Sequence, residues 1–282
     1  MPNSVRRVKS VALGGLDGQE AGCSMKFKGH YECVGIGEPV LCLSGFASGN
    51  WVFERLLQPM RTRYRFILPD NRGMGRSPPV QQGYTMDDLA DDALNLMDDL
   101  GIERFGVIGL SMGGFIAQVL ALKAPQRVLS MVLMGTTSGG AKYRQIFPAL
   151  SEEQVRAIYA LPPRERVTAA LSETLCPLLK TQFPEVYDDV VAKRVADPAD
   201  PQQVMYQFFA ADGFMNKPLP LDRIGCPVLI LTGDQDRLVP VVNAQQMARD
   251  LPDAQIVTIP GTDHLFFLEK IPETVAAIVD FL

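Results

Sequence analysis

Short apolar runs alternate along this chain with longer segments whose apolar residues recur at helical spacing. Runs at residues 25–32, 40–43, 64–68, 105–110, 128–134, 227–231 and 254–259 read as strands. Helical spacing predicts helices over 51–60, 86–100, 113–123 and 241–251, with a last helix from Ile271. The clearest helix opens at Thr85, with Asp88 three residues on as a capping box. Met86, Leu89, Ala90, Ala93, Leu94, Met97 and Leu100 follow on one face, and Gly101 stops it. Asp87, Asp91, Asp92, Asp98 and Asp99 fall mostly off that face and read as solvated charge, not as a metal site.

Strands alternating with amphipathic helices predict an α/β fold: a mostly parallel, twisted sheet flanked by helices. From Tyr143 to Pro218 the pattern changes to helical periods broken by prolines, with no strong strand. The expected organisation is an N-terminal extension over 1–22, a core over 23–137 and 219–282, and an inserted helical cap over 138–218. No internal repeat or low-complexity segment interrupts this plan.

Composition narrows the function classes. A hydrophobic fraction of 47% and a charged fraction of 21% are ordinary for a globular chain that buries a large core. A net charge of -5 provides no basic footprint for nucleic acid and no pull toward anionic membranes. The first 22 residues lack the apolar core of a signal peptide, and no apolar run is long enough to span a bilayer, so the expectation is a cytoplasmic protein. The five cysteines, Cys23, Cys33, Cys42, Cys176 and Cys226, form no C-x-x-C pair and read as buried reduced thiols. With two histidines, His30 and His264, the chain lacks the clustered ligands of a zinc site, and nothing calls for a cofactor. The partner expected is a small-molecule substrate; self-association into a homo-oligomer stays open.

Candidate chemistry centres on Gly109-Leu110-Ser111-Met112-Gly113-Gly114, a G-x-S-x-G stretch between an apolar strand and a helix. A serine on such a sharp turn needs small neighbours where chains cross, and the following helix N-terminus favours developing negative charge. No lysine follows the glycines, and their spacing differs from the dinucleotide fingerprint, so phosphate binding is disfavoured. A nucleophilic serine needs a base. His264 follows the last strand, where open α/β sheets build their sites, whereas His30 lies far upstream and reads as a strand or surface residue. The base needs an orienting carboxylate. Asp236 follows the strand over 227–231, with Asp234 as competitor and the adjacent Asp263 less suited. The amides of Met112 and of Phe46, in the Leu43-Ser44-Gly45-Phe46 loop, are the candidate oxyanion hole.

With these motifs the chain resembles the α/β-hydrolase superfamily, and within it the 3-oxoadipate enol-lactonase, haloperoxidase-like and small esterase group. The likeness also runs through Asp70-Asn71-Arg72-Gly73-Met74-Gly75-Arg76-Ser77, Tyr84-Thr85-Met86-Asp87-Asp88-Leu89-Ala90, Gly233 to Pro240, and His264 to Glu273. It implies the chain order Ser, Asp, His and places the acid three residues after Gly233, at Asp236. It implies structural roles for Asp70 and Arg72. Ser44-Gly45 stands where many relatives have His-Gly. The resemblance implies a serine hydrolase acting on a carboxylic ester, lactone or thioester of a small, partly apolar substrate. The alternatives are a carbon–carbon bond hydrolase with the same triad, or a ligand-binding receptor of the same fold. Dehalogenase and epoxide hydrolase relatives carry Asp where this chain has Ser111. Trp51 and the aromatic residues of the cap, Tyr143, Phe147, Tyr159 and Phe208 among them, are expected to serve packing more than pocket.

Overall fold

The computed structural model describes residues 25–175 and 177–282. The expected N-terminal extension, Cys23 and Cys176 lie outside the described residues. The chain begins with β1 (Tyr31–Gly35), β2 (Glu38–Leu43), α1 (Glu54–Leu57), β3 (Tyr64–Pro69), α2 (Met86–Asp99), β4 (Phe105–Leu110), α3 (Met112–Lys123) and β5 (Val128–Met134). Six helices follow: α4 (Ala141–Arg144), α5 (Glu152–Ala160), α6 (Pro163–Thr174), α7 (Pro177–Gln182), α8 (Pro184–Ala196) and α9 (Pro201–Met215). It ends with β6 (Val228–Gly233), α10 (Val242–Asp250), β7 (Ala254–Ile259), α11 (Phe266–Glu269) and α12 (Ile271–Phe281).

The strands form one seven-stranded sheet in the order β1-β3-β2-β4-β5-β6-β7. Only β1 runs antiparallel, against β3; every other pair is parallel. Parallel strands covered on both faces have to be apolar on both sides. The side chains divide accordingly. Leu41, Val107, Met131, Leu133 and Ile230 join the core under α2, α3 and α10, while Cys42, Ile108, Val132, Met134 and Leu229 join the core under α1 and α12. All of these are essentially inaccessible to water.

Three local expectations need correction. The first strand begins at Tyr31 instead of residue 25. The amides of Lys26 and Phe27 donate to the Asp99 carboxylate at 3.2 and 2.8 Å, so they are not free for a ladder. The helix predicted over 51–60 is one turn of α-helix between two 3-10 turns, the second of which contains Pro59, which has no amide to donate. The thiols are not all buried: Cys42 and Cys226 are, but Cys33 is exposed on β1. The aspartates of α2 do more than meet solvent. Asp92 pairs with Arg72, Asp91 with Lys123 at 2.7 Å and Asp98 with Arg127 at 2.6 Å. Among the described residues, no helix is long and apolar enough to cross a membrane.

Candidate active site

The central strand β4 delivers Ser111 to the turn that opens α3. Ser111 has φ 52° and ψ -119°, a conformation that L-residues rarely adopt. Such a residue costs roughly 1–3 kcal/mol and persists only when its surroundings over-determine it. Here they do. The Ser111 amide donates to the Met134 carbonyl at 2.8 Å, and its own carbonyl accepts from the Gly114 amide at 2.8 Å and from the Thr136 hydroxyl at 2.7 Å. Gly113 is required by close approach: a Cβ there would lie 2.0 Å from the Leu43 carbonyl oxygen. The backbone of β2 therefore abuts the start of α3, bringing the loop after β2 beside Ser111.

His264 and Asp236 arrive from the loops after β7 and β6. His264 Nδ1 lies 2.9 Å from Asp236 Oδ2, and both side chains are buried. The other oxygen, Asp236 Oδ1, accepts from the amides of Leu238 and Val239 at 2.9 and 2.7 Å. A carboxylate so engaged has one orientation, and it selects the imidazole tautomer with Nδ1 protonated and Nε2 available as a base. Asp234 has other work: its carboxylate accepts from the amides of Gly261 and Thr262 at 2.7 and 3.3 Å, tying down the loop that carries His264. Asp263 accepts from the Arg237 and His264 amides at 3.0 and 2.8 Å and binds the Arg237 guanidinium. His30 sits elsewhere, just before β1, with Nδ1 3.0 Å from Asp70.

Ser111, His264, Gly45, Phe46 and Met112 line one cavity of about 570 Å³. Among the described residues, no protein acceptor takes the amides of Phe46 or Met112. The Ser111 hydroxyl makes no hydrogen bond to the imidazole in this structure; the two groups share the cavity wall. Serine–histidine bonds are commonly long without substrate and shorten when it binds.

Residues from the helices between β5 and β6 complete the wall, among them Phe147, Tyr159, Phe208 and Met215. These aromatic residues serve the pocket, whereas Tyr143 and Phe214 are buried in the core and Phe183 and Phe209 are exposed. Trp51 packs and donates to Asp197 at 3.0 Å. Asp70 has a structural part, accepting from the amides of Asn50 and Arg76 at 2.6 and 3.0 Å.

Two residues of the site went unnoticed in the sequence. Three arginines line the cavity: Arg144, Arg194 and Arg237. Arg144 pairs with Asp212 at 2.7 Å and Arg237 with Asp263 at 2.6 Å. Arg194, on α8, has no carboxylate partner among the described residues, and its buried Nε is unpaired. Burial pushes the affinity of its guanidinium for a proton down. The second is Gln207 on α9, fully buried, whose carboxamide oxygen accepts from the Ala47 amide at 2.5 Å. Neither sits in a motif; only the folding of α8 and α9 over the sheet brings them here. Among the described residues, no group of three or more His, Cys, Asp or Glu is placed to hold a metal ion.

The fold agrees with the comparisons. The profile of the α/β hydrolase fold matches residues 38–271, and the chain belongs to that family. It is 30% identical over 248 residues to BpoC of Mycobacterium tuberculosis, which carries a non-heme bromoperoxidase name; the match covers 87% of this chain and 93% of BpoC. It is 28% identical over 268 residues to a 2-hydroxy-6-oxononadienedioate/2-hydroxy-6-oxononatrienedioate hydrolase of Cupriavidus pinatubonensis, covering 91% of each. Among solved structures, a thermophilic esterase from Thermogutta terrifontis superimposes with a TM-score of 0.74 at 28% identity, covering 89% of this chain and 91% of the esterase.

Proposed function

We propose that this protein is a serine hydrolase that cleaves a carboxylic ester, lactone or thioester of a small, partly apolar substrate through an acyl-enzyme. The observation that carries the reading is the buried Asp236–His264 pair, whose imidazole shares a cavity with Phe46, Met112 and a serine held at positive φ. Ser111 is the nucleophile. His264 Nε2 takes its proton as Oγ attacks the substrate carbonyl, and Asp236 orients the ring and stabilises its charged form. The Phe46 and Met112 amides receive the oxyanion, assisted by the N-terminal end of α3. His264 then returns the proton to the leaving group, and water attacks the acyl-enzyme by the same route reversed. The helices between β5 and β6 act as a cap whose largely apolar wall takes the substrate body, and Arg194 supplies a polar contact within it.

A second reading uses the same three residues on a carbon–carbon bond, and similarity to the dienedioate hydrolase favours it. One experiment separates the readings. Wild-type protein is assayed against p-nitrophenyl esters, lactones, thioesters and a vinylogous diketone, beside Ser111→Ala, with fluorophosphonate labelling of both proteins. The expected result is ester, lactone or thioester turnover and labelling at Ser111, with kcat lower by several orders of magnitude in the variant. Turnover confined to the diketone selects the second reading. Equal background rates in both proteins overturn both.

A further inference from the structure

The loop that presents the Phe46 amide is not self-supporting. Ala47, next in the chain, has φ 50°, a left-handed backbone that costs a non-glycine residue roughly 1–2 kcal/mol. Its amide has one acceptor among the described residues, the Gln207 carboxamide oxygen at 2.5 Å. Gln207 stands 160 residues away on α9, is wholly buried, and its Nε2 has no partner among the described residues. A buried carboxamide that leaves its own nitrogen unpaired carries a desolvation cost. The single bond it does make falls on the strained residue of the oxyanion loop. The same helix reaches the substrate space, because Phe208 and Ala211 line the cavity.

We propose that Gln207 is a positioning residue for the oxyanion hole: from the cap it holds the Phe46–Ala47 turn, so that seating of α9 sets the direction of the Phe46 amide. The inference rests on the serine-hydrolase reading for its kinetic consequence and on the Ala47 contact for its structural one. Removing the acceptor frees Ala47 to relax toward negative φ, which rotates the neighbouring peptide and misaligns the oxyanion donor. Loss of one such donor lowers kcat roughly 100–1,000-fold, so a displaced donor is expected to cost roughly 10–100-fold.

The test compares Gln207→Leu, which keeps the bulk and removes the acceptor, with Gln207→Glu, which keeps an acceptor oxygen in either protonation state. Rates on a p-nitrophenyl ester are expressed per active site, titrated by the endpoint of fluorophosphonate labelling. Gln207→Leu is expected to lower kcat roughly 10–100-fold with KM changed less than about threefold, and Gln207→Glu to recover most of kcat. An unchanged kcat per site in Gln207→Leu, or a rise in KM alone, overturns the proposal. A second readout, backbone amide exchange over residues 44–48, does not depend on turnover. Faster exchange there in Gln207→Leu supports the positioning role, and unchanged exchange overturns it. Wild-type protein that turns over no substrate refutes the hydrolase reading, and the exchange experiment still decides the role of Gln207.

Discussion

At the scale of single residues, the site pairs groups that are fully satisfied with a few that are not. Asp236 spends both oxygens, on His264 and on the amides of Leu238 and Val239. Asp263 and Arg237 satisfy each other at the cavity edge. Arg194 departs from this rule: it lines the cavity, and its buried Nε has no partner among the described residues. A hydrogen bond to a charged group contributes about 1.5–3 kcal/mol, so a substrate carboxylate meeting Arg194 would gain roughly 10–100-fold in affinity. Arg194→Gln is therefore expected to lower the ratio of kcat/KM for the mono-p-nitrophenyl ester of heptanedioic acid over that for p-nitrophenyl heptanoate by about that factor. A ratio that stays constant across the two proteins would place the anion elsewhere.

At the scale of elements, α2 shows how local chemistry sets a boundary. The Asp88 amide donates to the Thr85 hydroxyl at 3.2 Å, and the Thr85 amide donates back to the Asp88 carboxylate at 2.8 Å. The Thr85 hydroxyl, with its amide, holds the Asp88 carboxyl below the usual aspartate range. A carboxyl with a depressed folded pKa adds stability above the unfolded value, near about 4, and loses it as pH falls through the folded one. Thr85→Ala is expected to lower stability by about 1 kcal/mol in urea unfolding at pH 7. The gap between the two proteins should narrow in acid, below about pH 4. The turn opening α3 differs, because its geometry comes from contacts outside the helix, to Met134, Thr136 and Leu43.

At the scale of the molecule, the sheet acts as a frame and the helices after β5 as its cover. Ser111, Asp236 and His264 follow β4, β6 and β7, whose parallel pairing brings all three strand ends to one edge of the sheet. The cover is fastened by packing: Phe214 of α9 stacks on Phe115 of α3 with centroids 4.4 Å apart and planes at 9°. Truncating a buried phenylalanine costs about 3–5 kcal/mol. Phe214→Ala is expected to lose about that much in equilibrium unfolding. It should also lower kcat, because α9 carries Gln207 to the oxyanion loop. A variant that loses stability but keeps full kcat per active site would show that the cover and the site are uncoupled.

Most of the frame was legible in the sequence because its signals are local. The apolar run of β4 ends where composition says it ends, since a parallel strand buried on both faces tolerates no polar interruption. The capping box of α2 and the strained turn at Ser111 also announce themselves within a few residues. Residues 25–30 misled the pattern because groups far along the chain capture amides there: Asp99 takes those of Lys26 and Phe27, and the Ser77 hydroxyl that of His30. The choice between Asp234 and Asp236 is likewise spatial: both follow β6, and only the path of the loop turns one toward the imidazole and the other toward Gly261. Arg194, Gln207 and the selection of Phe147, Tyr159 and Phe208 for the cavity depend on how α5, α8 and α9 lie across the sheet. Hydrophobic periodicity sets which face of a helix is buried; what that face is buried against is decided by contacts between elements separated along the chain, as where Phe214 of α9 meets Phe115 of α3.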